Sequence, residues 1–510
     1  MRASLSAQTD CTSIHPRLYV GLHKNYGLAA SFMRKAAIQA ALLCAVGSPL
    51  LAMASDSSFE QLIADLESLR AKHEVAGFAV TVVSGGQGRR TGTGGVADRD
   101  SGKRVTADTL FRVGSITKTF NALAVMLLVE EGRLDPQTPV RKIITDAPLD
   151  NPWAETHPVR VAHLLEHSSG LLDITREEFD HNEPFPTLEA ALAWRPQARV
   201  VQWPPGLHHV YSNANAGLAG LVIERVSGQN YACFITERLL QPMAMHTASL
   251  VDDTTTRERL ATGYDSDGKT PIPYWHMIFP PLGAINATPR EMGALLELFL
   301  RRGRVGNERL LNTDSIARME QPTTTLGSRH GLTYGYGPGL DQSVHKGFIW
   351  YGHGGDGDGY LSRFGYNRAA DAGYFLTINA FKHDALREMR ERVQNHLTRN
   401  LTAPQPTPAS IDPDTLGALT GTYVAVTRRF QWQTPAQLDE DRIQVVLEQG
   451  TLYTQSGSGR RQLIPVDPGR FRREGQPLAT IAIISHDGDL YLQADFGNYK
   501  RLEALLPDSP

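Results

Sequence analysis

The chain has 510 residues, of which 41% are hydrophobic and 21% are charged, and its formal net charge is −3. This length is too great for one ordinary core and favours two or three domains of a soluble globular protein. The small net charge argues against a nucleic-acid-binding protein, because no basic excess is present to neutralise phosphates.

The N-terminus has the pattern of an export signal. Met33-Arg34-Lys35 supplies a start and a positive segment, residues 36–46 are apolar, and Ala52-Met53-Ala54 fits a cleavage site. We therefore predict a signal peptide over residues 33–54. The mature protein is then expected in the periplasm or secreted, with no stable membrane span.

Residues 1–32 are polar and mixed, so they form a doubtful N-terminal extension, and either Met1 or Met33 could be the true start. An uncleaved membrane anchor is the alternative to the signal peptide. Gln39 and Pro49 weaken it, because they interrupt an apolar run that barely reaches spanning length.

The mature chain is predicted to open with an amphipathic helix and a β-hairpin. Apolar residues recur at helical spacing over 59–69, and residues 77–83 are rich in β-formers before a Gly-containing turn. A strong apolar helix is predicted from about Ser115 to Glu131, with Gly132 as its C-cap. Helical stretches and Pro- and Gly-marked loops alternate from about 135 to 330.

Strands return late in the chain, at residues 347–351, 360–364 and 372–379, and a final helix follows them. Early and late strands around a helical middle predict one antiparallel sheet that is closed by distant chain segments. We assign this layered α+β domain to residues 55–401.

The composition changes after residue 401. Residues 402–411 form a Pro-rich linker. Short β-like runs at 442–447, 451–455, 479–484 and 490–495 are then separated by turns. They predict a separate all-β domain over residues 412–510.

Ser115 and Lys118 are the first candidate catalytic pair. The spacing Ser115-x-x-Lys118 puts both side chains on one helical face, and a helix start favours developing negative charge. Lysine can act as the base for a serine only when it is neutral, so burial or nearby positive charge must lower its pKa. Ser266/Lys269 and Ser343/Lys346 share the spacing, but they lie in polar or Gly-rich stretches that we read as surface.

Tyr211-x-Asn213 is the second candidate element, and it follows a rigid Trp-Pro-Pro-Gly turn. Tyr211 could share proton transfer, because a nearby cation would favour its phenolate. Asn213 offers both a donor and an acceptor to a substrate amide.

His353-x-Gly355 is the third candidate element, between two β-like stretches. Its glycines would let a substrate approach the backbone closely, and the N–H of Asp356 could face an oxyanion. His353 itself would carry only a partial, pH-dependent positive charge.

In this order the three motifs resemble those of serine penicillin-recognising hydrolases, particularly the class C β-lactamase-like group. That group includes D-Ala-D-Ala carboxypeptidases, D-aminopeptidases and family VIII esterases. The flanking residues 111–120, 161–171, 205–213 and 352–355 agree, and the resemblance covers about residues 58–398.

The resemblance implies a β-lactamase/transpeptidase-like fold, in which helices and a helical insertion flank the sheet, and a barrel-like C-terminal domain. Ser115 would form an acyl-enzyme, and Lys118 and Tyr211 would share acid and base work. Asn213 would bind the acyl-side amide, while the N–H groups of Ser115 and Asp356 would form the oxyanion hole.

His353 occupies the place where this group's β-lactamases carry a lysine. The expected substrate is therefore a small peptide, a peptidoglycan-derived compound or an ester rather than a β-lactam. We expect a D-amino-acid peptidase, a carboxypeptidase or an esterase, with no cofactor, metal or nucleic-acid partner.

Three alternatives remain open. The same residues could belong to a β-lactamase, or the fold could persist as a non-catalytic binding protein. His163-Leu-Leu-Glu-His167 also matches a zinc-hydrolase pattern if both histidines share one helical face.

Overall fold

The computed structural model describes residues 48–86, 88–357, 359–434, 442–494 and 497–502, and it describes side chains from residue 57 onward. The predicted extension over 1–32 and most of the predicted signal peptide over 33–54 lie outside these residues. In the described part of the chain, no helix has both the length and the apolar character needed to cross a membrane.

A seven-stranded antiparallel sheet is the centre of the larger domain. Its strands are β1 Gly77–Ser84, β2 Gly88–Gly95, β9 Tyr336–Gly337, β10 Leu340–His345, β11 Phe348–Gly357, β12 Tyr360–Asn367 and β13 Ala372–Ile378. Their spatial order is β2-β1-β13-β12-β11-β10-β9. Phe78 on β1 pairs with Ile378 on β13, so the early hairpin joins the late strands, as the sequence predicted.

Helices cover both faces of this sheet. Those of the larger domain are α1 Ser48–Lys72, α2 Thr117–Glu130, α3 Val161–Leu165, α4 Arg176–Phe179, α5 Leu188–Ala193, α6 Asn213–Ser227, α7 Tyr231–Ile235, α8 Thr254–Arg259, α9 Pro280–Gly283, α10 Pro289–Leu300, α11 Thr313–Met319, α12 Leu326–Arg329 and α13 His383–Thr398. Short 3₁₀ turns occur at Gly114–Ile116, Val140–Lys142 and Pro196–Arg199, and a π turn at Thr236–Leu240.

Two apolar layers hold the sheet between the helices. On one face, Leu62 and Leu66 of α1 and Met389 of α13 are buried in a cluster with strand residues. On the other face, α10 and α2 belong to a larger apolar cluster, which also contains Phe364 and Phe375 of the sheet. Burial of these apolar faces, at about 25 cal/mol per Å², is the main favourable contribution to this arrangement.

Three two-stranded ladders lie outside the main sheet. They are β3 Phe111–Arg112 with β6 Asn286–Ala287, β4 Gly263–Tyr264 with β5 Pro271–Ile272, and β7 Arg304–Val305 with β8 Glu308–Arg309. The first of them fixes the chain immediately before Ser115, because Phe111 pairs with Ala287.

Residues 401–412 have no regular secondary structure, and a short helix, α14 Pro413–Gly417, leads into the second domain. Eight strands close that domain into an antiparallel barrel, as the resemblance implied. They are β14 Gly421–Ala425, β15 Arg442–Glu448, β16 Thr451–Ser456, β17 Gly459–Asp467, β18 Arg470–Arg472, β19 Ile481–His486, β20 Asp489–Ala494 and β21 Gly497–Arg501.

The barrel packs directly on the larger domain. Leu326 and Leu332 form an apolar cluster with Ala482 and Ile484 of β19. Polar contacts reinforce it, since the Gly327 N–H donates to Gln493 Oε1 at 3.0 Å. The barrel also contacts the residues that follow α3 and precede α6, since Asn498 Nδ2 donates to the His209 carbonyl at 2.8 Å.

Candidate active site

Ser115 and Lys118 meet at the start of α2. Ser115 lies in the 3₁₀ turn Gly114–Ile116, and Lys118 lies in the first turn of the α-helix that begins at Thr117. Lys118 Nζ is 2.9 Å from Ser115 Oγ, and it also donates to the Leu282 carbonyl at 2.6 Å. This is hydrogen-bond distance for a base that takes the serine proton.

The surroundings of Lys118 favour its neutral form. The pKa of Lys118 is lowered from 10.5 to about 7; burial is the largest cause, and the positive charge of Arg429 acts in the same direction. The carboxylates of Asp173 and Asp356 act in the opposite direction. At neutral pH a large share of the Lys118 amine is therefore free to accept a proton.

Tyr211 lies beside this pair, with its ring centroid 5.2 Å from Lys118 Nζ. Burial raises the pKa of Tyr211 above its ordinary value, although a hydrogen bond with Ser115 and the charge of Arg429 lower it. The expected phenolate is therefore disfavoured, because desolvation outweighs the nearby cations. Tyr211 is a phenol that can relay a proton.

Asn213 opens α6 and faces a fully buried carboxylate that the sequence did not single out. Asp173 accepts from the Asn213 N–H at 2.7 Å and from Asn213 Nδ2 at 3.3 Å. Asn213 Oδ1 is buried and has no hydrogen-bond partner in the described part of the chain. Asn213 thus lines the cleft and holds a buried acceptor that no described residue satisfies.

Gly355 brings strand β11 against the segment that carries Ser115. A Cβ at Gly355 would overlap the Val113 carbonyl oxygen, so no larger residue fits without moving the strand. Gly114 has a φ of +55°, and a Cβ there would lie 2.9 Å from the Asp356 backbone nitrogen. The two glycines thus let the backbone of Asp356 approach the serine turn.

His353 is buried, and its orientation is fixed by two partners. Its Nδ1 contacts the Gly354 carbonyl, and its Nε2 is 2.6 Å from Tyr336 Oη. A carbonyl only accepts, so Nδ1 carries the proton and Nε2 accepts from the Tyr336 hydroxyl. Burial lowers the pKa of His353 to about 4, so the expected partial positive charge is absent at neutral pH.

These residues line one cleft of about 790 Å³ between the sheet, the helices and the barrel. Of the predicted site residues, Ser115, Tyr211, Asn213, His353 and Asp356 line it, while Lys118 and Gly355 lie behind its wall. The structure thus brings all of the predicted residues together.

The barrel contributes to the cleft through β21 and through residues 426–434, which follow β14 and which we call the barrel arm. Arg429 on this arm donates to Asp173 Oδ2 from Nε at 2.9 Å and from Nη2 at 2.7 Å. Its guanidinium carbon is 4.8 Å from the ring centroid of Tyr211. The Arg429 side chain is 43% exposed, so it also faces the open cleft.

The histidines of the zinc-like pattern do not act together. Helix α3 ends at Leu165, and His167 has a φ of +53°, so the prediction that His163 and His167 share a helical face was wrong. His163 Nδ1 accepts from the Arg160 N–H, whereas His167 Nδ1 accepts from the Ser212 N–H. Glu166 between them accepts from the Thr323 and Thr324 N–H groups.

Asp173, Tyr336 and Arg429 were missed from the sequence. Asp173 follows the Ser168-Ser-Gly-Leu171 turn, and its distance from Lys118 in the sequence hides their proximity. Arg429 lies in a different domain, and no local motif marks it. The only sequence signal for Arg429 is the local composition, because the adjacent Arg428 and Arg429 are followed by the aromatic residues Phe430 and Trp432.

Comparison with known proteins gives a family and relatives of both domains. The family model described as Beta-lactamase matches residues 59–398. "Penicillin-binding protein 4" of Amycolatopsis lactamdurans is 27% identical over 372 residues, which are 70% of this chain and 95% of that protein.

Solved structures share the fold at lower identity. A crystal structure of SurE has a TM-score of 0.58 at 22% identity, over 88% of this chain and 100% of that chain. The octameric penicillin-binding protein homologue from Pyrococcus abyssi gives 0.57 at 21%, over 87% and 100%. The D-amino acid amidase from Ochrobactrum anthropi SV3 gives 0.55 at 24%, over 67% and 99%.

The family model covers well over half of the chain, and its matched range includes Ser115 and Lys118, which meet at hydrogen-bond distance. The chain therefore belongs to the Beta-lactamase family of serine hydrolases.

Proposed function

We propose that this protein is an exported hydrolase that cleaves amide or ester bonds through an acyl-enzyme on Ser115. D-amino-acid peptides, their amides, peptidoglycan-derived peptides and small esters are its proposed substrate class. One observation carries the proposal: Lys118 Nζ lies 2.9 Å from Ser115 Oγ, and burial lowers the pKa of Lys118 to about 7.

In the acylation step, Ser115 Oγ attacks the substrate carbonyl carbon while the neutral Lys118 amine takes the hydroxyl proton. The carbonyl oxygen becomes negative, and the N–H groups of Ser115 and Asp356 are proposed to stabilise it. Such donors are worth about 10²–10³ in rate when they are held in place before the reaction.

The leaving amine or alkoxide then needs a proton. Tyr211 can supply it from its phenol and recover it from the Lys118 ammonium, because burial keeps the Tyr211 pKa above its ordinary value. In deacylation the neutral Lys118 amine takes a proton from a water whose oxygen attacks the ester carbonyl on Ser115, and Lys118 and Tyr211 pass that proton to Oγ as the ester bond breaks.

The cleft also supports the substrate class. Asn213 Oδ1 is a free acceptor for a substrate amide N–H. His353 is uncharged at neutral pH, since its pKa is about 4, and Arg429 is an exposed cation of the cleft, next to Arg428. We therefore propose that Arg429, rather than His353, attracts a substrate carboxylate. Two proteins of similar fold are a D-amino acid amidase and SurE, whose structure is known with D-Leu.

A substrate panel tests this proposal. We expect kcat/KM to be higher on D-amino-acid peptides and amides and on short p-nitrophenyl esters than on nitrocefin. A fluorophosphonate probe should label the native protein and should not label Ser115→Ala. The Ser343→Ala variant, which changes a second Ser-x-x-Lys pair, should be labelled normally.

Fast nitrocefin turnover would favour the β-lactamase alternative instead. Absence of labelling by both fluorophosphonate and penicillin probes would favour the non-catalytic alternative. Inhibition by a chelator with rescue by zinc would favour the zinc alternative.

Export is part of the same proposal, and it rests on the sequence of residues 33–54. Helix α1 begins at Ser48 and therefore crosses the proposed cleavage point after Ala54. N-terminal sequencing of the protein from a periplasmic or culture fraction should begin at Ser55. A mature protein that begins at Met1 or Met33 would contradict signal cleavage.

A further inference from the structure

The barrel arm is tied to the larger domain before Arg429 and at Arg429 itself. Trp203 Nε1 donates to the Val426 carbonyl at 2.9 Å, and the Asp173 N–H donates to the Arg429 carbonyl at 2.9 Å. Gln433 Oε1 accepts from the Arg429 and Phe430 N–H groups, each at 2.8 Å, which closes the arm into a turn. The arm therefore holds the Arg429 backbone against Asp173.

The Asp173 carboxylate is fully buried, so its charge is poorly screened by water. The Asn213 and Ile174 N–H groups donate to Oδ1, at 2.7 and 2.8 Å. In the described part of the chain, Arg429 is the residue that forms a salt bridge with Asp173. Without it, the larger domain would hold a buried carboxylate with hydrogen bonds but no counter-charge.

An uncompensated Asp173 would act on the catalytic base. The Asp173 carboxylate raises the pKa of Lys118, and the Arg429 guanidinium lowers it. Both cations lie over the Tyr211 ring, with Lys118 Nζ 5.2 Å and Arg429 Cζ 4.8 Å from its centroid. Asp173 and Arg429 thus form an ion pair whose net charge is close to zero. Because Arg429 and Lys118 contact the same ring of Tyr211, this pair lies close to the Lys118 amine.

The other titratable groups that face Lys118 do not offset the effect of the Asp173 charge on the Lys118 pKa. Asp356 is the remaining charged neighbour, and it raises the Lys118 pKa as Asp173 does. Burial lowers the pKa of His353 to about 4 and that of His167 well below its usual range, so both rings are neutral. Tyr211 is neutral as well, because burial raises its pKa.

We propose that Arg429 is a positioning residue through which the C-terminal barrel neutralises Asp173 and keeps the amine of Lys118 able to accept the Ser115 proton. The active site is thus completed electrostatically by a second domain. This inference rests on the proposed acyl-enzyme chemistry and is distinct from recognition of a substrate carboxylate by the same arginine.

An uncharged p-nitrophenyl ester separates the two roles, because it has no carboxylate for Arg429 to bind. In Arg429→Met, we expect the midpoint of the acid limb of kcat/KM to rise by about one pH unit or more. Activity at pH 7 should fall about tenfold and return toward the native value near pH 9. Arg429→Lys retains the charge and should keep the midpoint close to the native one.

Arg470→Met is the matched control, because Arg470 is also a barrel arginine that contacts the larger domain. It donates to the Gly331 carbonyl and pairs with Asp467, outside the cleft. We expect this variant to keep the native midpoint, which would exclude a general effect of weakened domain contact.

The Asp173→Asn variant is a second test of the same inference, in which Arg429 is retained. Removal of the carboxylate leaves the Arg429 charge uncompensated, so the midpoint should move to lower pH than in the native protein. The double variant with Arg429→Met should have a midpoint below that of Arg429→Met alone.

An unchanged midpoint in both Arg429→Met and Asp173→Asn would overturn the inference, even if kcat/KM fell equally at every pH. The proposed acyl-enzyme chemistry would still stand in that case. If the native protein instead hydrolysed no ester and Ser115 were not acylated, the proposed function itself would fail.

Discussion

The two sides of the cleft are built in different ways. On the side of the larger domain, Ser115, Lys118, Tyr211, Asn213 and His353 lie on the start of a helix, on a strand or immediately beside such an element. On the barrel side, Arg429 projects from a connection after β14. The larger-domain side needs particular backbone geometry, so short sequence motifs mark it. The barrel side needs only one long side chain at a domain interface, so no sequence motif marks it.

The largest expected effect is on the motif side, at the base. Lys118→Met keeps a buried, unbranched side chain and removes the amine, so we expect kcat/KM to fall about 10⁴-fold, as for other nucleophile–base units. Lys346→Met changes the exposed lysine of another Ser-x-x-Lys match and should leave kcat/KM unchanged. Ester hydrolysis with circular dichroism on each variant is the measurement, and a loss below tenfold would show that Lys118 is not the main base.

The next effect tests whether backbone approach is the decisive feature of the motif side. Gly355→Ala puts a Cβ onto the Val113 carbonyl oxygen, so β11 must move and take the Asp356 N–H with it. We expect kcat to fall about 10²–10³-fold, with a smaller change in KM.

Gly354→Ala is the adjacent control for that substitution. Its Cβ would lie 3.3 Å from Arg363 Nη1, the far end of a flexible side chain that can yield. Equal losses of kcat in the two variants would mean that the close approach at Gly355 has no special role.

The pH profile of kcat/KM is expected to show a smaller effect than these substitutions for each pH unit, and it tests whether Lys118 is the base. Lys118 must lose its proton to act, so kcat/KM on an uncharged ester should fall about tenfold for each pH unit below a midpoint near 7. It should stay level up to about pH 10, because burial raises the pKa of Tyr211 and keeps its phenol protonated.

His353→Asn should keep this midpoint, because the pKa of His353 is about 4 and its protonation falls outside the window. A profile in which the limb near pH 7 disappears with His353 would assign the limb to the histidine instead of Lys118.

The smallest effect concerns the anchoring of the barrel side. Trp203→Phe removes the hydrogen bond to the Val426 carbonyl, which is worth about 0.5–1.5 kcal/mol. We expect ester kcat/KM to fall about two- to tenfold at pH 7. Trp432→Phe changes an exposed indole of the same arm and should have no such effect. A result in which the two variants behave alike would remove the anchoring role.

Much of the fold could be predicted because its strong elements have strong local patterns. The β1 hairpin, the late strands and α13 combine alternation or helical spacing with clear turns. Several barrel strands lack such a pattern: β17 contains Arg460, Arg461 and Pro465, and it is held in place by its ladder with β16 rather than by propensity.

The site was predictable to the extent that its chemistry requires particular neighbours in the chain. Ser115 and Lys118 must share a helical face, and Gly355 must lack a side chain. Each requirement fixes residue types at a set spacing, so each appears in the sequence as a short motif. The charge states could not be read from the motifs, because burial decides the protonation of Lys118, Tyr211 and His353. Asp173 and Arg429 meet only after two domains have packed together.

The register of the central sheet has a consequence for biosynthesis. Phe78 on β1 finds its partner Ile378 on β13 300 residues further along the chain. A ribosome must therefore finish nearly the whole larger domain before β1 can pair with β13, and closure of such a long loop is slow. The hairpin of β1 and β2 keeps an unpaired strand edge for most of the synthesis of this domain, which favours holding chaperones.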